Sequence, residues 1–313
     1  MDTQLYKPEY TDSWALIIGI NNYHNVSPLE FACNDAQAVN KLLIERFGFP
    51  ETNVVLLTDE AASRGNVMEA FLDFASKTAP DDRVLVFFAG HGHTHTGRRG
   101  EVGFLVPVDG TPDRLSSLIR WDELTRNAEL VPAKHIFFAM DACYGGLAIT
   151  RALPSGSMRF LKDMLRRFSR QVLTAGKADE VVADSSGPMP EHSVFTGHLI
   201  QALEGAAAAP DGIITANGVM SYVYDKVAKD QYSQQTPHYG FIDGDGDFIF
   251  QAPILTEAAE QPEETGSDIL VEVPPTIVDA SELDRQSLID LIKQYLSDAR
   301  YRIKLDDLAT QER

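Results

Sequence analysis

Val84-Leu85-Val86-Phe87-Phe88-Ala89-Gly90-His91-Gly92 and His135-Ile136-Phe137-Phe138-Ala139-Met140-Asp141-Ala142-Cys143 are the two stretches whose reading decides the fold. Each is a short apolar run rich in Val, Ile and Phe and closed by small or polar residues, the pattern of a strand buried on both faces. Such strands belong to parallel sheets covered by helices. If the two are neighbours in one sheet, His91 and Cys143 emerge side by side at the carboxyl ends, where open α/β sheets place ligand chemistry. The residue types then point to a reaction. A thiol with an ordinary pKa of about 8.5 is weakly ionised at neutral pH, so a nucleophilic cysteine needs a base beside it. His91 suits that role and can later hand the proton to a leaving amine. Gly92 and the backbone N–H of Cys143 are the candidate oxyanion-hole donors, since a residue without Cβ lets a substrate carbonyl approach its amide.

The surrounding sequence continues the same architecture. Trp14-Ala15-Leu16-Ile17-Ile18-Gly19-Ile20 predicts a buried first strand ending in an Asn21-Asn22-Tyr23 turn. The apolar spacing after it predicts a helix with Asn34 or Asp35 at its N-cap. Asn53 to Leu57 reads as a strand and Asn66 to Thr78 as a helix. Strand and helix in alternation argue for an α/β chain, a mainly parallel central sheet with helices on both faces. Beyond Cys143 the pattern gives way to a loop and a basic stretch, then Gln171 to Thr174 resumes as a strand, Phe195 to Leu203 as a helix and Asp247 to Phe250 as a last strand. The expected organisation is an N-terminal extension over 1–12, a main domain over 13–250, an acidic Pro-containing linker over 251–280, and a C-terminal amphipathic helix or partner-binding region over 281–313.

Asp141-Ala142-Cys143-Tyr144-Gly145-Gly146, preceded 52 residues earlier by His91 in Ala89-Gly90-His91-Gly92-His93, resembles the signature of the caspase-like cysteine peptidases, and within them the metacaspase and bacterial caspase-homologue branch (peptidase C14-like). The resemblance covers roughly residues 13 to 250. It implies a caspase-haemoglobinase-like fold, a His91/Cys143 dyad, and settings such as stress response, regulated cell death or antiviral defence. It also bears on substrate choice. Asp141 stands where caspases carry the Gln that helps hold an aspartate, and Asp35 lies in a Cys-Asn-Asp-Ala segment similar to the metacaspase stretch whose acid lines the S1 pocket. Two carboxylates there imply a basic P1 residue, with Arg favoured over Lys for bidentate pairing. The alternative for Asp35 is a plain helix cap. Ala89 and Tyr144-Gly145-Gly146 depart from the residues metacaspases commonly show around their dyad, which leaves the pocket's shape open.

The formal net charge of −19 argues against a nucleic-acid or anionic-membrane surface and is compatible with basic peptide partners. The chain has no apolar run long enough to span a bilayer and its first residues show no secretory signal, so the expected compartment is the cytoplasm. Two cysteines, Cys33 and Cys143, are too few for a disulfide framework. Against the acidic background Arg159, Lys162, Arg166, Arg167 and Arg170 form a basic stretch. Arg159, Arg166, Arg167 and Arg170 are candidate processing positions in a 151–177 segment that an upstream protease, or the enzyme itself, would cut; the bland alternative is a solvated helix face.

Two other functional classes stay open. One is a catalytically quiet caspase-like scaffold. The other is a metal-dependent hydrolase using His91, His93 and His95, which alternate along an extended segment but lack visible further ligands; His93 and His95 otherwise read as solvated loop residues. A cysteine–histidine mechanism requires no cofactor. The resemblance also leaves calcium activation through an acidic cluster open: Asp109, Asp122 and Glu123 are acids available to one, with exposed loop and helix-start acids as the equal alternative.

Overall fold

The computed structural model describes residues 10–98, 100–143, 167–176, 187–209, 212–230, 233 and 235–251. The chain divides into a compact unit, Met1–Glu257, and a second, Ala258–Arg313. The expected C-terminal helix and nearly all of the expected linker lie outside the described residues.

The strands are β1 (Ser13–Gly19), β2 (Val54–Thr58), β3 (Arg83–Ala89), β4 (Gly92–Gly97), β5 (Gly100–Leu105), β6 (Ile119–Arg120), β7 (His135–Cys143), β8 (Ser169–Gly176), β9 (Ile214–Thr215), β10 (His238–Gly244) and β11 (Ile249–Gln251). The helices are α1 (Ala32–Phe47), α2 (Arg64–Lys77), α3 (Trp121–Asn127), α4 (Val194–Gln201) and α5 (Ala216–Lys229). Six strands form the central sheet in the order β10-β8-β7-β3-β1-β2. All neighbouring pairs are parallel except β10 with β8. This is the mainly parallel α/β sheet anticipated from the apolar runs.

Period-two alternation sorts the strand residues between two cores. Ala15, Ile17, Leu85, Phe87, Phe137 and Ala139 pack with the residues of α1, α4 and α5, whereas Leu16, Ile18, Val84, Val86, Phe88, Phe138 and Met140 pack with those of α2 and α3. Because both faces are covered, β1, β3 and β7 carry no polar side over their central residues and read as apolar runs. The chain runs from β1 to β2 on one side and then crosses back to place β3 on the other side of β1. That reversal is the kind of switch point at whose strand carboxyl ends such sheets bind ligands.

Two expectations are corrected here. The helix α1 starts at Ala32 with Phe31 as its N-cap residue, so neither Asn34 nor Asp35 caps it. His93 and His95 lie on β4, in a small β4-β5-β6 sheet, and not in a loop. The sequence hides this hairpin because Gly92-His93-Thr94-His95-Thr96-Gly97 has no apolar alternation to announce a strand. Near the chain start, the Tyr10 hydroxyl donates to His135 Nδ1 at 2.6 Å and accepts from the Ile249 N–H at 3.0 Å.

Candidate active site

The register between β3 and β7 pairs Ala89 with Asp141. His91 and Cys143 each lie two positions beyond that pair, so the histidine follows the end of β3 as the cysteine closes β7 on the neighbouring strand. The Gly90 N–H donates to the Asp141 carbonyl at 3.2 Å, which carries the β3–β7 pairing one residue past the strand. On its far side Cys143 pairs with Gly176 of β8 after an irregularity in the ladder.

The β1 loop supplies what holds the histidine. The Tyr23 hydroxyl accepts from the His91 N–H at 2.8 Å, and the Tyr23 ring packs against the imidazole with centroids 5.0 Å apart. His91 Nε2 lies 2.9 Å from the Ser27 carbonyl oxygen. A carbonyl only accepts, so the neutral ring carries its hydrogen on Nε2 and keeps the lone pair on Nδ1. A backbone carbonyl thus occupies the orienting place that a carboxylate fills in a triad. The carbonyl of an unremarkable serine leaves no signature in the sequence.

The loop is anchored in turn by Asp59, which follows β2. Its carboxylate accepts from the Asn21 N–H at 2.8 Å and from the Asn22 N–H and amide at 2.9 and 3.1 Å. Desolvation opposes ionisation there, but these donors prevail and hold the carboxyl below its ordinary range. Asp59 has φ 43°, an uncommon left-handed backbone for a residue with a side chain. Gly90 matters for packing: an added Cβ would sit 2.4 Å from the Tyr23 hydroxyl.

Asp35 and Asp141 meet at the start of α4. Both carboxylates are buried. Ser193, the N-cap of α4, donates its hydroxyl to Asp141 and its N–H to Asp35, the latter at 3.4 Å. Thr196 adds its hydroxyl to Asp141 at 2.7 Å. On the other oxygen of Asp35, His192 donates from Nδ1 at 2.6 Å. Burial pushes the Asp35 carboxyl up, and the His192 hydrogen bond pulls against it. His192, Ser193 and Thr196 were absent from the sequence reading. A Ser with a Thr three residues on marks a helix start, but nothing local says that it faces two acids from α1 and β7.

A caspase-domain family model matches residues 12–242. The chain belongs to the caspase-domain peptidases. Relatives include Metacaspase-1 of Eremothecium gossypii, 25% identical over 265 residues that cover 70% of this chain and 58% of that protein. Metacaspase-1 of Schizosaccharomyces pombe is 28% identical over 52% of this chain and 41% of that one, and Metacaspase-6 of Arabidopsis thaliana 30% identical over 44% of this chain and 39% of that one. The chain therefore spans from about two fifths to under three fifths of the length of these relatives. A crystal structure of a Geobacter sulfurreducens protein has the same fold, with a TM-score of 0.53 and 18% identity over 77% of this chain and 98% of that one.

In this caspase-domain chain the remaining candidates separate by surroundings. Arg170 lies inside β8, buried, donating to the Val131 carbonyl at 2.9 Å and the Lys134 carbonyl at 3.2 Å and stacking on Phe168. An arginine held there is no processing position, which corrects the expectation for this one residue. Arg167 is exposed and pairs with Asp245. Arg159, Lys162, Arg166 and Tyr144-Gly145-Gly146 lie outside the described residues. The acids considered for calcium are engaged otherwise: Asp109 accepts from the Arg64 N–H at 2.9 Å, Glu123 pairs with the Arg64 guanidinium at 2.9 Å, and Asp122 pairs with Arg120 at 2.6 Å. Among the described residues no group of three or more His, Cys, Asp and Glu could hold a metal ion, and His91, His93 and His95 form no such group. Cys33 is a free buried thiol that donates to the Gly19 carbonyl, and burial pushes its pKa to about 11. It is chemically quiet.

Proposed function

We propose that this chain is a cysteine endopeptidase in which His91 and Cys143 act as a dyad on peptide bonds that follow a basic residue, arginine before lysine. The observation that carries the reading is the β3–β7 register, Ala89 opposite Asp141, which brings the two residues to adjacent strand ends beside an imidazole already oriented by Ser27. Nδ1 of His91 takes the Cys143 proton, and the thiolate adds to the substrate carbonyl carbon. The oxyanion that forms is met by the N–H groups of Gly92 and Cys143. The imidazolium returns its proton to the amine nitrogen as the C–N bond breaks, leaving a thioester. Water, deprotonated by the same nitrogen, then releases the acid and restores the thiol.

The basic preference rests on Asp35 and Asp141, two buried carboxylates joined through Ser193. In a site of reduced dielectric they favour a guanidinium and repel an acidic side chain. Regulation by cutting within 151–177 is part of the same proposal, with Arg159, Arg166 and Arg167 as the positions to test. A purified chain digesting a positional peptide library, with Cys143→Ala and His91→Ala as controls, tests the reading. Cleavage after Arg and Lys that both variants abolish supports it. Preferential cutting after Asp, or full activity in folded Cys143→Ala, refutes it. Because Cys33 is quiet, loss of activity on alkylation reports on Cys143.

A further inference from the structure

Asp35 carries a hydrogen-bonded partner of its own, the His192 imidazole. Its carboxylate is 1% exposed, and the side chain that pairs with it, His192, is 15% exposed. The imidazole is thus the more solvent-facing half of the pair. His192 sits at the end of a loop whose far side is pinned: Ser193 caps α4 and bonds to Asp141, and a Cβ on Gly187 would lie 2.7 Å from the Ser193 carbonyl. Just before the histidine, Glu191 has φ 60°, a left-handed conformation that a non-glycine residue adopts at a cost. The loop frame is fixed at Ser193, so the imidazole is the part that can swing by rotation about its own side-chain bonds.

From this geometry we infer that His192 is a gate on the P1 pocket: it holds Asp35 Oδ1 in the free enzyme and must rotate away before a basic P1 side chain can pair with that acid. The inference rests on the basic-P1 reading of Asp35. The imidazole offers Asp35 one N–H, whereas a guanidinium offers a planar fork of donors that matches both carboxylate oxygens. An incoming arginine therefore replaces the imidazole bond with a better-matched one, and the exchange leaves no buried carboxylate unpaired at either end. The cost of displacing His192 is common to every basic side chain. It therefore sets how tightly basic substrates bind without choosing between Arg and Lys, and it is paid in binding and not in the acyl-transfer step.

The test compares the full wild-type chain with His192→Ala, His192→Asn and Asp35→Asn on paired P1-Arg and P1-Lys peptides, with benzamidine as an amidinium competitor. His192→Ala is expected to lower KM for both peptides, and the benzamidine inhibition constant with them, on the order of tenfold, the range of one charge-assisted hydrogen bond. The Arg-to-Lys ratio stays at its wild-type value and the change falls in KM and not in kcat. His192→Asn, whose amide N–H can stand where Nδ1–H stood, restores wild-type KM. A folded His192→Ala protein with unchanged or raised KM overturns the gate. Should that variant not fold, the NMR signal of the His192 Nδ1–H proton in Cys143→Ala decides: its loss on saturation with benzamidine supports the gate, its persistence overturns it. The Asp35→Asn variant separates the two ideas. If it cleaves after Arg as the wild type does, the basic-P1 reading of Asp35 fails, whereas loss of Arg cleavage there with an unmoved KM in His192→Ala rejects only the gate.

Discussion

Gly90→Ala is the perturbation that probes how His91, the base of the proposed dyad, is held. The new Cβ would meet the Tyr23 hydroxyl at 2.4 Å and the Phe88 ring at 2.9 Å, both closer than carbon normally approaches. Relief requires a shift of roughly 1 Å, the gap between these contacts and an ordinary van der Waals separation of about 3.5 Å. The Tyr23 hydroxyl is the far end of a side chain and yields first. It is also the acceptor of the His91 N–H at 2.8 Å, so the same displacement takes that hydrogen bond past its limit and lifts the ring from the imidazole. The fold is expected to tolerate the change, at about 1–3 kcal/mol of stability, the usual cost of overpacking. Activity suffers more, because a misplacement of about 1 Å in a catalytic group can cost on the order of a hundredfold in rate. The assay is kcat on a P1-Arg peptide alongside thermal unfolding, for Gly90→Ala, Tyr23→Phe and the double variant. Since both single changes act on one contact, their effects on kcat should not add. Wild-type kcat in a folded Gly90→Ala protein, or strictly additive losses, would refute the reasoning.

Asp141→Asn removes charge while keeping an acceptor for Ser193 and Thr196; kcat/KM for P1-Arg should fall between about 10- and 100-fold, the range for losing a charge-assisted hydrogen bond, with melting temperature nearly unchanged. An Arg preference that survives the substitution removes Asp141 from the pocket. Asp247, buried and bonded to Gln171 and Asn217, has a carboxyl pushed up to about 6 from an ordinary 3.8, chiefly by desolvation. The folded chain therefore holds that proton to higher pH than the unfolded chain does, and stability declines as pH rises from about 4 to 6. The full penalty stands above that, so Asp247→Asn should gain up to roughly 3 kcal/mol at neutral pH, from 1.36 kcal/mol per pKa unit. Urea titrations of both proteins at pH 4 and 7.5 check it, and an equal difference at the two pH values refutes it. Arg83 is buried, donates to the carbonyls of Phe47, Ile249 and Phe250 and to the Ser13 hydroxyl, and lies over the Phe49 ring at 4.5 Å. Arg83→Met should cost about 3–5 kcal/mol by leaving these acceptors unpaired in the core, read as a lowered denaturation midpoint.

The two apolar runs determined the sheet class, because strands covered on both faces must be apolar throughout, and that pattern survives any detail of packing. They determined the dyad candidates too, since His91 and Cys143 follow the ends of strands whose order and spacing are local facts. Three things escaped the sequence for physical reasons. The β4 hairpin is polar and lies outside the main sheet, so no periodicity marks it. Arg170 looked like part of a solvated basic face, yet it sits in β8, its two terminal guanidinium nitrogens donating to carbonyls from the segment before β7. Only the strand pairing reveals such partners. The partner of Asp35 escaped as well: α1 begins three residues earlier and turns the carboxylate into the core, toward a histidine 157 positions away. Of the parts that orient the site, Ser27 acts through its carbonyl and Tyr23 and Ser193 through hydroxyls, while Asp59 holds the loop with a carboxylate that accepts backbone N–H groups. A carbonyl or hydroxyl has no distinctive residue type, so tertiary structure alone decides which of them faces the imidazole and which joins the two acids.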